Sequence, residues 1–320
     1  MTKLLNFIIV VLALALIAVI LVPQIQENRP KPLRFVCDSS VTSLPFLIAV
    51  EETLFVKNRI IPQLSFYSDP DQALSDLFAG KSDIGIFPWS TVLRHIQEKQ
   101  ETLVVFMAEE FRPALPVDAI AKPKKSRIKL LVDLKGQRFA YPPQLRDYVK
   151  VLLATVNLKP EQVKLREVPF TALLGELQSG AADAVWLMEP QLCQLDFTKF
   201  DTIASPLTRY IYSPFPGAAI GFSPKFLANS SKVLRTRLKI ALDAAVAFAE
   251  TKPEQAKEIL GRYFHCESAS RAARLPELQR LVEINKPAVQ GLTIRLLGAG
   301  ILADSIPTAG LFIEPVKMTH

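Results

Sequence analysis

The sequence contains few of the residues that enzymes and metal proteins use most often at their sites. Its 320 residues include only three histidines and three cysteines. Cys37, Cys193 and Cys266 form no C-x-x-C pair, which argues against a zinc knuckle and a disulfide scaffold. One disulfide with a thiol left over remains open. His265 and Cys266 are adjacent, and adjacent residues rarely ligate one metal ion, so we predict no metal site.

Glycine is also scarce, with 12 residues, and no glycine pattern suited to phosphate binding occurs. The stretch "LLGAG", residues 296–300, has neither the G-x-G-x-x-G spacing of a dinucleotide fold nor the Walker spacing of an ATPase. No arrangement of residues typical of nucleophilic catalysis is visible either. We therefore predict a protein that is not an enzyme and carries no cofactor.

Concentrated positive charge is almost absent, although the net charge is +7. Lysines and arginines are dispersed, apart from "KPKKSRIK" at Lys122–Lys129. Nucleic-acid-binding proteins gather such residues beside a recognition motif, and none accompanies this block. The composition, 49% hydrophobic and 22% charged, is that of a folded chain. We predict no nucleic-acid partner.

One long hydrophobic run is present at Leu4–Val22, with Asn6 as its only polar side chain. About 20 apolar residues span a bilayer, whereas the apolar core of a signal peptide has about 7–15. We predict an N-terminal transmembrane helix over residues 1–24 and a tether over 25–32, with a cleaved signal as the alternative. The short leading tail favours an orientation that puts the remaining chain on the periplasmic, extracytoplasmic face of the cytoplasmic (inner) membrane.

Strand and helix patterns alternate after the tether, and one phrase occurs twice. "DLFAGKSDIGIF" at Asp76–Phe87 returns as "ELQSGAADAVWL" at Glu176–Leu187, with leucine, glycine and aspartate at one constant offset. In both copies the glycine ends a helix pattern and the aspartate precedes a strand. Two similar α/β units in one chain predict two lobes with largely parallel sheets.

Strand ends locate the candidate site, since ligands of open α/β sheets bind outside the carboxyl ends of the strands. Two facing lobes would form a cleft there. The residues predicted to bind ligand are Ser39, Ser40, Ser43, Phe87, Trp89 and Ser90 in the first unit, Arg146, Tyr148, Trp186 and Glu189 in the second, and Tyr212 at the return between them. Other residues at such strand ends are Asp38, Thr91, Phe111, Arg112, Gln144, Asp147 and Met188, and Tyr210 and Phe215 accompany Tyr212 at the return.

Each of these residues also has a purely structural interpretation. Serines that precede a helix normally cap it. A tryptophan either stacks on a planar or cationic solute or packs in the core under a strand end. A buried carboxylate such as Glu189 needs a partner, which is a ligand or a residue of the facing lobe. Arg146 could hold an anionic group by itself.

Six stretches carry a family resemblance: "SLPFLIAVEETLFVKNRIIPQLSFY", "LFAGKSDIGIF", "LLVDLKGQRFAYP", "LKPEQVKLREVP", "ELQSGAADAVWLMEP" and "FSPKFLANSSKVLRTRLKIALDAAVAFAETKPEQA". In order and spacing they resemble the solute-binding proteins of ABC transporters, in the branch of alkanesulfonate, taurine and nitrate binders and the thiamine-pyrimidine-precursor (NMT1/THI5-like) group. The resemblance covers most of residues 33–260.

The resemblance implies an α/β fold of the type II periplasmic-binding-protein kind, with two α/β lobes, a hinge and an interlobe cleft. Lobe 1 would take residues 33–120 and lobe 2 residues 121–212. Residues 213–320 would return to lobe 1 and add C-terminal helices. The first crossing between the lobes would lie near "AKPKK", residues 121–125, and the second near "YIYSPFPGAA", residues 210–219.

The same resemblance implies a monomeric, extracytoplasmic solute-binding protein that closes over a small organic solute and delivers it to an ABC permease and its ATPase. The solute would be aromatic, nitrogenous or sulfonate-like. Gln144 and Arg146 stand where the family often has a serine or threonine that holds an anionic group, which puts a simple sulfonate or nitrate in doubt. Two alternatives stay open: an enzyme of the thiamine-pyrimidine-synthase type, whose cysteine-rich motif is missing here, and a membrane-tethered ligand sensor.

Overall fold

The computed structural model describes residues 28–203, 205–266 and 272–313, together with isolated positions between 6 and 19. None of the helices in this part of the chain combines the length and the apolar character that a bilayer crossing requires. The predicted transmembrane helix, residues 1–24, falls for the most part outside the described residues. The predicted tether is described only from residue 28 onward.

The strands alternate with helices along most of the chain. In chain order the strands are β1 (Lys31–Cys37), β2 (Ile60–Phe66), β3 (Ile84–Pro88), β4 (Val104–Phe111), β5 (Asp118–Pro123), β6 (Arg138–Tyr141), β7 (Lys164–Glu167), β8 (Ala184–Met188), β9 (Phe200–Thr202), β10 (Phe215–Phe222) and β11 (Glu277–Arg280). The helices are α1 (Leu44–Glu51), α2 (Leu54–Lys57), α3 (Pro70–Phe78), α4 (Trp89–Lys99), α5 (Arg146–Thr155), α6 (Phe170–Gln178), α7 (Pro224–Asn229), α8 (Lys232–Thr251), α9 (Pro253–Tyr263) and α10 (Lys286–Gly298).

The strands form two sheets. The first has the order β11-β4-β10-β3-β1-β2 and the second the order β7-β6-β8-β5-β9. In each sheet three neighbouring strands are parallel, β2-β1-β3 and β7-β6-β8, and an antiparallel strand follows, β10 or β5. The predicted two-lobe α/β fold is therefore confirmed, but the sheets are mixed and not largely parallel as predicted, because β10, β4 and β11 in one sheet and β5 and β9 in the other pair antiparallel. We call the two sheets with their helices lobe 1 and lobe 2.

The repeated sequence phrase occupies the same place in both lobes. It covers the end of α3 and all but the last residue of β3 in lobe 1, and the end of α6 and most of β8 in lobe 2. Gly80 and Gly180 follow these helices with φ of +80° and +73°, a conformation that favours glycine because it has no Cβ. The strands that follow are fully buried, since helices cover both faces of a parallel sheet.

The first crossing between the lobes differs from the prediction. Strand β5, Asp118–Pro123, pairs with β8 and β9, so it belongs to lobe 2 and the crossing lies at residues 112–117. The predicted boundary at residue 120 was wrong because the lysines after it suggested an exposed linker. Most of β5 is buried, and even Lys122 is covered, with its ammonium 3.4 Å from Asp201.

The chain returns to lobe 1 at residues 212–214, between a π-helical turn, Leu207–Ile211, and β10. Strand β10 enters the middle of the first sheet, between β3 and β4. Helices α8 and α9 then pack against α1, and α10 packs against β10 and α4. Lobe 1 is thus built from two segments of the chain and lobe 2 from one.

Candidate functional site

A cavity lies between the lobes, at the carboxyl ends of β1, β3 and β8. Lobe 1 lines it with Asp38, Thr42, Tyr67, Phe87, Pro88, Phe111, Phe215, Gly217 and Ala218, and lobe 2 with Gln144, Leu145, Tyr148, Met188 and Leu207. Its volume is about 20 Å³, which is room for about one water molecule. The lobes are therefore closed on each other, and a larger solute needs them to separate.

Five of the fourteen described residues that line the cavity are aromatic. The rings of Tyr67 and Phe87 are stacked with their centroids 5.9 Å apart, and those of Phe111 and Phe215 are stacked at 5.8 Å. Tyr148 of lobe 2 meets Phe215 edge-on at 5.1 Å. Hydrogen bonds fix the two tyrosines, because the Tyr67 hydroxyl donates to the Ile86 carbonyl and the Tyr148 hydroxyl accepts from a backbone N–H of lobe 1. Ring contacts and hydrogen bonds thus hold the aromatic residues in place around the cavity.

One carboxylate, that of Asp38, lines the cavity. Its Oδ1 accepts hydrogen bonds from the backbone N–H of Ser40 at 3.0 Å, the Ser40 hydroxyl at 2.7 Å and the Thr42 hydroxyl at 2.8 Å. Burial raises the pKa of Asp38, and these hydrogen bonds oppose the rise. The side chain is 3% exposed. The turn after β1 therefore holds a carboxylate in a fixed position without any cationic partner among the described residues.

A second carboxylate, Glu109, lies close to the first. It is 1% exposed and shares a face of β4 with Phe111, two residues later. Neither of its carboxylate oxygens has a hydrogen-bond partner in the part of the chain that the structure describes. Burial raises the pKa of Glu109 well above its usual range, and the carboxyl of Asp38 raises it further. Burying a carboxylate without a partner costs free energy, so a hydrogen-bond donor or a cation beside Glu109 would stabilise the protein.

Backbone and side-chain hydrogen bonds join the lobes around the cavity. The Ser90 N–H donates to the Tyr148 hydroxyl at 3.0 Å. The Val41 N–H donates to the Glu189 carbonyl at 2.8 Å, and the Gln191 side chain donates to the Ser39 carbonyl at 2.9 Å. These contacts use groups at the start of α1 and α4 and fix the closed arrangement.

Ion pairs close the mouth of the cleft. Arg146 of lobe 2 contacts Asp71 of lobe 1 at 2.7 Å, Asp69 at 3.4 Å and its own lobe's Glu167 at 2.6 Å. Arg94 of lobe 1 reaches Asp71 and, at 3.5 Å, Asp147 of lobe 2. We call these residues the ion-pair latch. The Arg146 pKa is raised by its hydrogen bond to Glu167 and by the nearby aspartates. Its guanidinium is thus paired with carboxylates of both lobes.

The predicted site residues fall into two groups. Phe87 and Tyr148 line the cavity. Residues that surround it without lining it are Ser39, Ser40, Ser43, Ser90 and Arg146. Ser40 and Ser43 are hydrogen-bonded to Asp38, Ser43 through the Asp38 carbonyl, while the others join the lobes. The structure brings these seven residues together.

Trp186 and Trp89 lie away from the cavity. Trp186 donates its indole N–H to Asp118 at 2.9 Å, and Asp118 also accepts from the Ser205 hydroxyl and the Leu207 N–H. Burial raises the pKa of Asp118 to about 6. The Trp89 ring packs near Phe312, 5.9 Å between centroids. Both tryptophans therefore belong to the lobe cores.

Tyr212 and the Glu189 carboxylate also lie outside the cavity, although the Glu189 carbonyl accepts from Val41 and so helps to join the lobes around it. The Glu189 carboxylate accepts the backbone N–H groups of Cys193 at 3.1 Å and Arg274 at 3.3 Å, and burial raises its pKa to about 7. Tyr212 lies against Gly291 of α10, where it lines a surface groove. Glu189 thus anchors backbone, and Tyr212 packs the second crossing.

Tyr67 and Glu109 were missed by the sequence analysis. Tyr67 directly follows β2, as Asp38 follows β1, so the rule of strand ends could have found it. Glu109 belongs to "MAEEF", where two acidic residues interrupt an apolar strand. That interruption is a signal, but it does not show which glutamate faces the cavity.

Comparison with known proteins identifies the family of this chain. The model of the family described as NMT1/THI5 like matches residues 41–256. The chain belongs to the NMT1/THI5-like family. A comparison of its sequence with curated proteins finds no match.

Solved structures of binding proteins share the fold. The alkanesulfonate-binding protein SsuA of Xanthomonas axonopodis pv. citri, bound to MOPS, is 16% identical with a TM-score of 0.67, and the match covers 90% of this chain and 96% of that one. The aliphatic sulphonate-binding SsuA of Escherichia coli is 17% identical, with a TM-score of 0.64 over 85% and 91%. The nitrate-binding NrtA of Synechocystis PCC 6803 is 12% identical, with a TM-score of 0.66 over 87% and 84%. At such identities the likeness concerns the fold.

Proposed function

We propose that this protein is an extracytoplasmic solute-binding protein of an ABC importer and that its ligand is a small organic molecule. One observation carries the proposal: two α/β lobes, connected by two chain crossings, enclose a cavity that both of them line. The fold shared with alkanesulfonate- and nitrate-binding proteins supports it. So does membership of the NMT1/THI5-like family.

The mechanism is hinge closure over the solute. Residues 112–117 and 212–214 are the segments that can absorb the rotation, because each joins strands of different sheets. A solute that touches both Phe87 and Tyr148 stabilises the closed state by the contacts it gains from the second lobe. A permease with its ATPase then receives the solute from the closed protein.

The proposal includes release of the solute unchanged. We expect a thermal-shift screen of amines, pyrimidines, sulfonates and small anions to find a ligand that raises the unfolding midpoint, and we expect the midpoint to keep rising with the logarithm of the ligand concentration above its dissociation constant. The ligand's NMR spectrum should be identical after prolonged incubation with the protein. Conversion into a product would instead establish an enzyme, and a screen with no stabilising compound would contradict the binding role.

The membrane anchor over residues 1–24 is part of the same proposal, and its support is the hydrophobic run at Leu4–Val22. We expect the full chain to fractionate with the cytoplasmic membrane, to resist extraction by carbonate, and to show an intact N-terminus by mass spectrometry. A mature chain that begins at residue 16 or later would overturn the anchor without affecting the binding role.

A further inference from the structure

The lining of the interlobe cavity has an acidic side chain and no basic one. Asp38 is the carboxylate among the described lining residues, and none of those residues is Lys, Arg or His. The guanidinium of Arg146 at the mouth of the cleft is held by Asp71 and Glu167. An anionic solute in this cavity would therefore face a carboxylate without a compensating cation.

The backbone groups that would bind an anion are also engaged. Helix N-termini bind anions through their free N–H groups. Here all four N–H groups from Ser40 to Ser43 donate to protein acceptors: the Asp38 carboxylate, the Glu189 carbonyl, the Ser40 hydroxyl and the Ser40 carbonyl. The Ser90 N–H at the start of α4 donates to Tyr148. In the closed state these backbone N–H groups are therefore not free to bind an anion, and the buried donors nearby without a partner among the described residues are the Ser90 hydroxyl and the Trp89 indole N–H.

Buried oxygen acceptors in and near the cavity, in contrast, have no hydrogen-bond donor among the described residues. The Gln144 side chain lines the cavity, is 4% exposed, and its Oε1 has no hydrogen-bond partner among the described residues. The two carboxylate oxygens of Glu109 also have no hydrogen-bond partner among the described residues. Leaving buried acceptors without donors costs roughly 1–3 kcal/mol each. A solute that carries an N–H donor into the cavity would satisfy Gln144 Oε1, which lines it.

The aromatic wall fits the same kind of group. Tyr67, Phe87, Phe111, Tyr148 and Phe215 surround the cavity next to Asp38. The faces of such rings carry negative electrostatic potential and attract cations, most strongly where water is excluded. Rings and carboxylates together form a cage suited to a positively charged nitrogen.

We infer that the solute carries a protonated amine, which donates hydrogen bonds to the Asp38 carboxylate and to Gln144 Oε1 inside the aromatic cage. The inference rests on the proposed function and names the chemical class of its ligand. Glu109 lies close to Asp38 and supplies no positive charge. Tyr67, Cys37 and Asp69 are further titratable groups near this pair in the described part of the chain, and none of these three carries positive charge.

Matched probes test the charge preference. Two series are used, ethylammonium, ethanol and ethanesulfonate, and benzylammonium, benzyl alcohol and phenylmethanesulfonate. Each is added to the full chain, and binding is measured by thermal shift and isothermal titration calorimetry. We expect the ammonium member of at least one series to bind at least about tenfold more tightly than its neutral and anionic counterparts, since a hydrogen bond to a charged group contributes about that much.

Two substitutions test the residues. Asp38→Asn keeps an oxygen acceptor for Ser40 and Thr42 and removes the charge, and should weaken ammonium binding about tenfold or more. Glu109→Gln should weaken it less, because Glu109 does not line the cavity. Asp304→Asn, the same change at an exposed carboxylate away from the cleft, should leave it unchanged. Circular dichroism and the unfolding midpoint establish that each variant is folded.

The outcomes separate the two proposals. A sulfonate or an alcohol that binds as tightly as the ammonium ion, or an Asp38→Asn variant that is folded and binds the ammonium ion as the parent does, overturns the protonated amine and leaves the solute-binding role standing. If no probe binds, the inference is likewise overturned. If, in addition, native mass spectrometry finds no small molecule retained by the purified protein, the solute-binding role falls with it.

Discussion

Strands β1 and β6 hold equivalent places in the two sheets, and each carries an arginine that pairs with the aspartate just before β3 or β8. Arg34 contacts Asp83 at 2.7 Å in lobe 1, and Arg138 contacts Asp183 at 2.6 Å in lobe 2. In both lobes the backbone N–H of the arginine donates to the aspartate carboxylate at 2.8 Å. The aspartate N–H returns a bond to the arginine carbonyl at 2.9 Å. The two lobes are therefore built on one local plan.

The lobes differ where these strands end. After β1 comes Asp38 with a turn of hydroxyl residues, whereas after β6 come two prolines and Gln144. Lobe 1 gives the cavity its carboxylate and four of its five rings, and lobe 2 gives a neutral amide, Tyr148 and apolar side chains. The two lobes thus share a scaffold and differ in the residues that follow the ends of their strands. Under the proposed function, lobe 1 supplies the charged group of the site and lobe 2 completes the enclosure.

The largest expected effect concerns the buried carboxyl of Asp118, which lies behind the cavity in lobe 2. Burial raises its pKa to about 6 from an ordinary 3.8. Because the folded state binds this proton more tightly, the stabilisation is complete below the ordinary pKa and is lost as the pH rises through about 6. The loss amounts to about 3 kcal/mol. We expect Asp118→Asn to remove this part of the pH dependence, measured by urea unfolding between pH 4 and 7.

The comparison of the lobes sharpens that experiment. Hydrogen exchange should show the altered pH dependence in peptides from β5, β8 and the turn at 205–211. Peptides from β1 and β3 should follow the parent protein. An equal change in both lobes would mean that they unfold as one cooperative unit.

The next effect concerns Trp186, which we place in the core of lobe 2. Trp186→Phe removes the donor to Asp118 and should lower the free energy of unfolding by about 1–3 kcal/mol. The affinity for an identified solute should stay within about twofold, because Trp186 does not line the cavity. Urea unfolding and calorimetry measure the two quantities. A large loss of affinity in a folded variant would show that Trp186 contributes to solute binding after all.

A smaller effect is expected at the ion-pair latch. Arg146→Gln removes the contact with Asp71 of lobe 1, and because the side chain is partly exposed the loss is about 0.5–1 kcal/mol. That favours the open state and weakens solute binding about two- to fivefold. Arg166→Gln is the matched control, since Arg166 pairs with Glu176 inside lobe 2. Small-angle scattering should show a larger radius of gyration for the first variant and no change for the second.

The smallest effect tests the shared plan directly. Asp83→Asn and Asp183→Asn weaken equivalent ion pairs on partly exposed side chains, and each should lower the thermal midpoint by only about 1–2 °C. Equal shifts support equivalent roles. A change in the thermal midpoint several times larger for one variant would show that the two arginine–aspartate pairs contribute differently to stability despite their equal geometry.

Sequence reasoning recovered the scaffold because the scaffold repeats. Two copies of one phrase, each with a glycine after a helix and an aspartate before a strand, sufficed to predict two lobes. The first crossing was misplaced because burial by a partner sheet cannot be seen in a short segment followed by lysines. Strand β5 is covered by β8 and β9, which lie more than 60 residues further along the chain.

The site was recovered only at the level of strand ends. Trp186 lies two residues before the last residue of β8, about 7 Å back along the strand, where residues 205–207 cover it. In β4 every position is buried, so alternation gives no sign of which glutamate faces the cavity. Glu110 binds Asn285 at 2.9 Å, whereas Glu109 lies near Asp38. That distinction depends on contacts distant in sequence.

The insertion of β10 between β3 and β4 has a consequence for how the chain reaches its native state. All the strands of the lobe 2 sheet have been synthesised once Thr202 has left the ribosome. In contrast, β4 has only β10 and β11 as neighbours, so it stays unpaired until residues 215–280 arrive. Since domains fold as units in the order of their synthesis, the lobe that is interrupted, although it begins first, is the last to be completed.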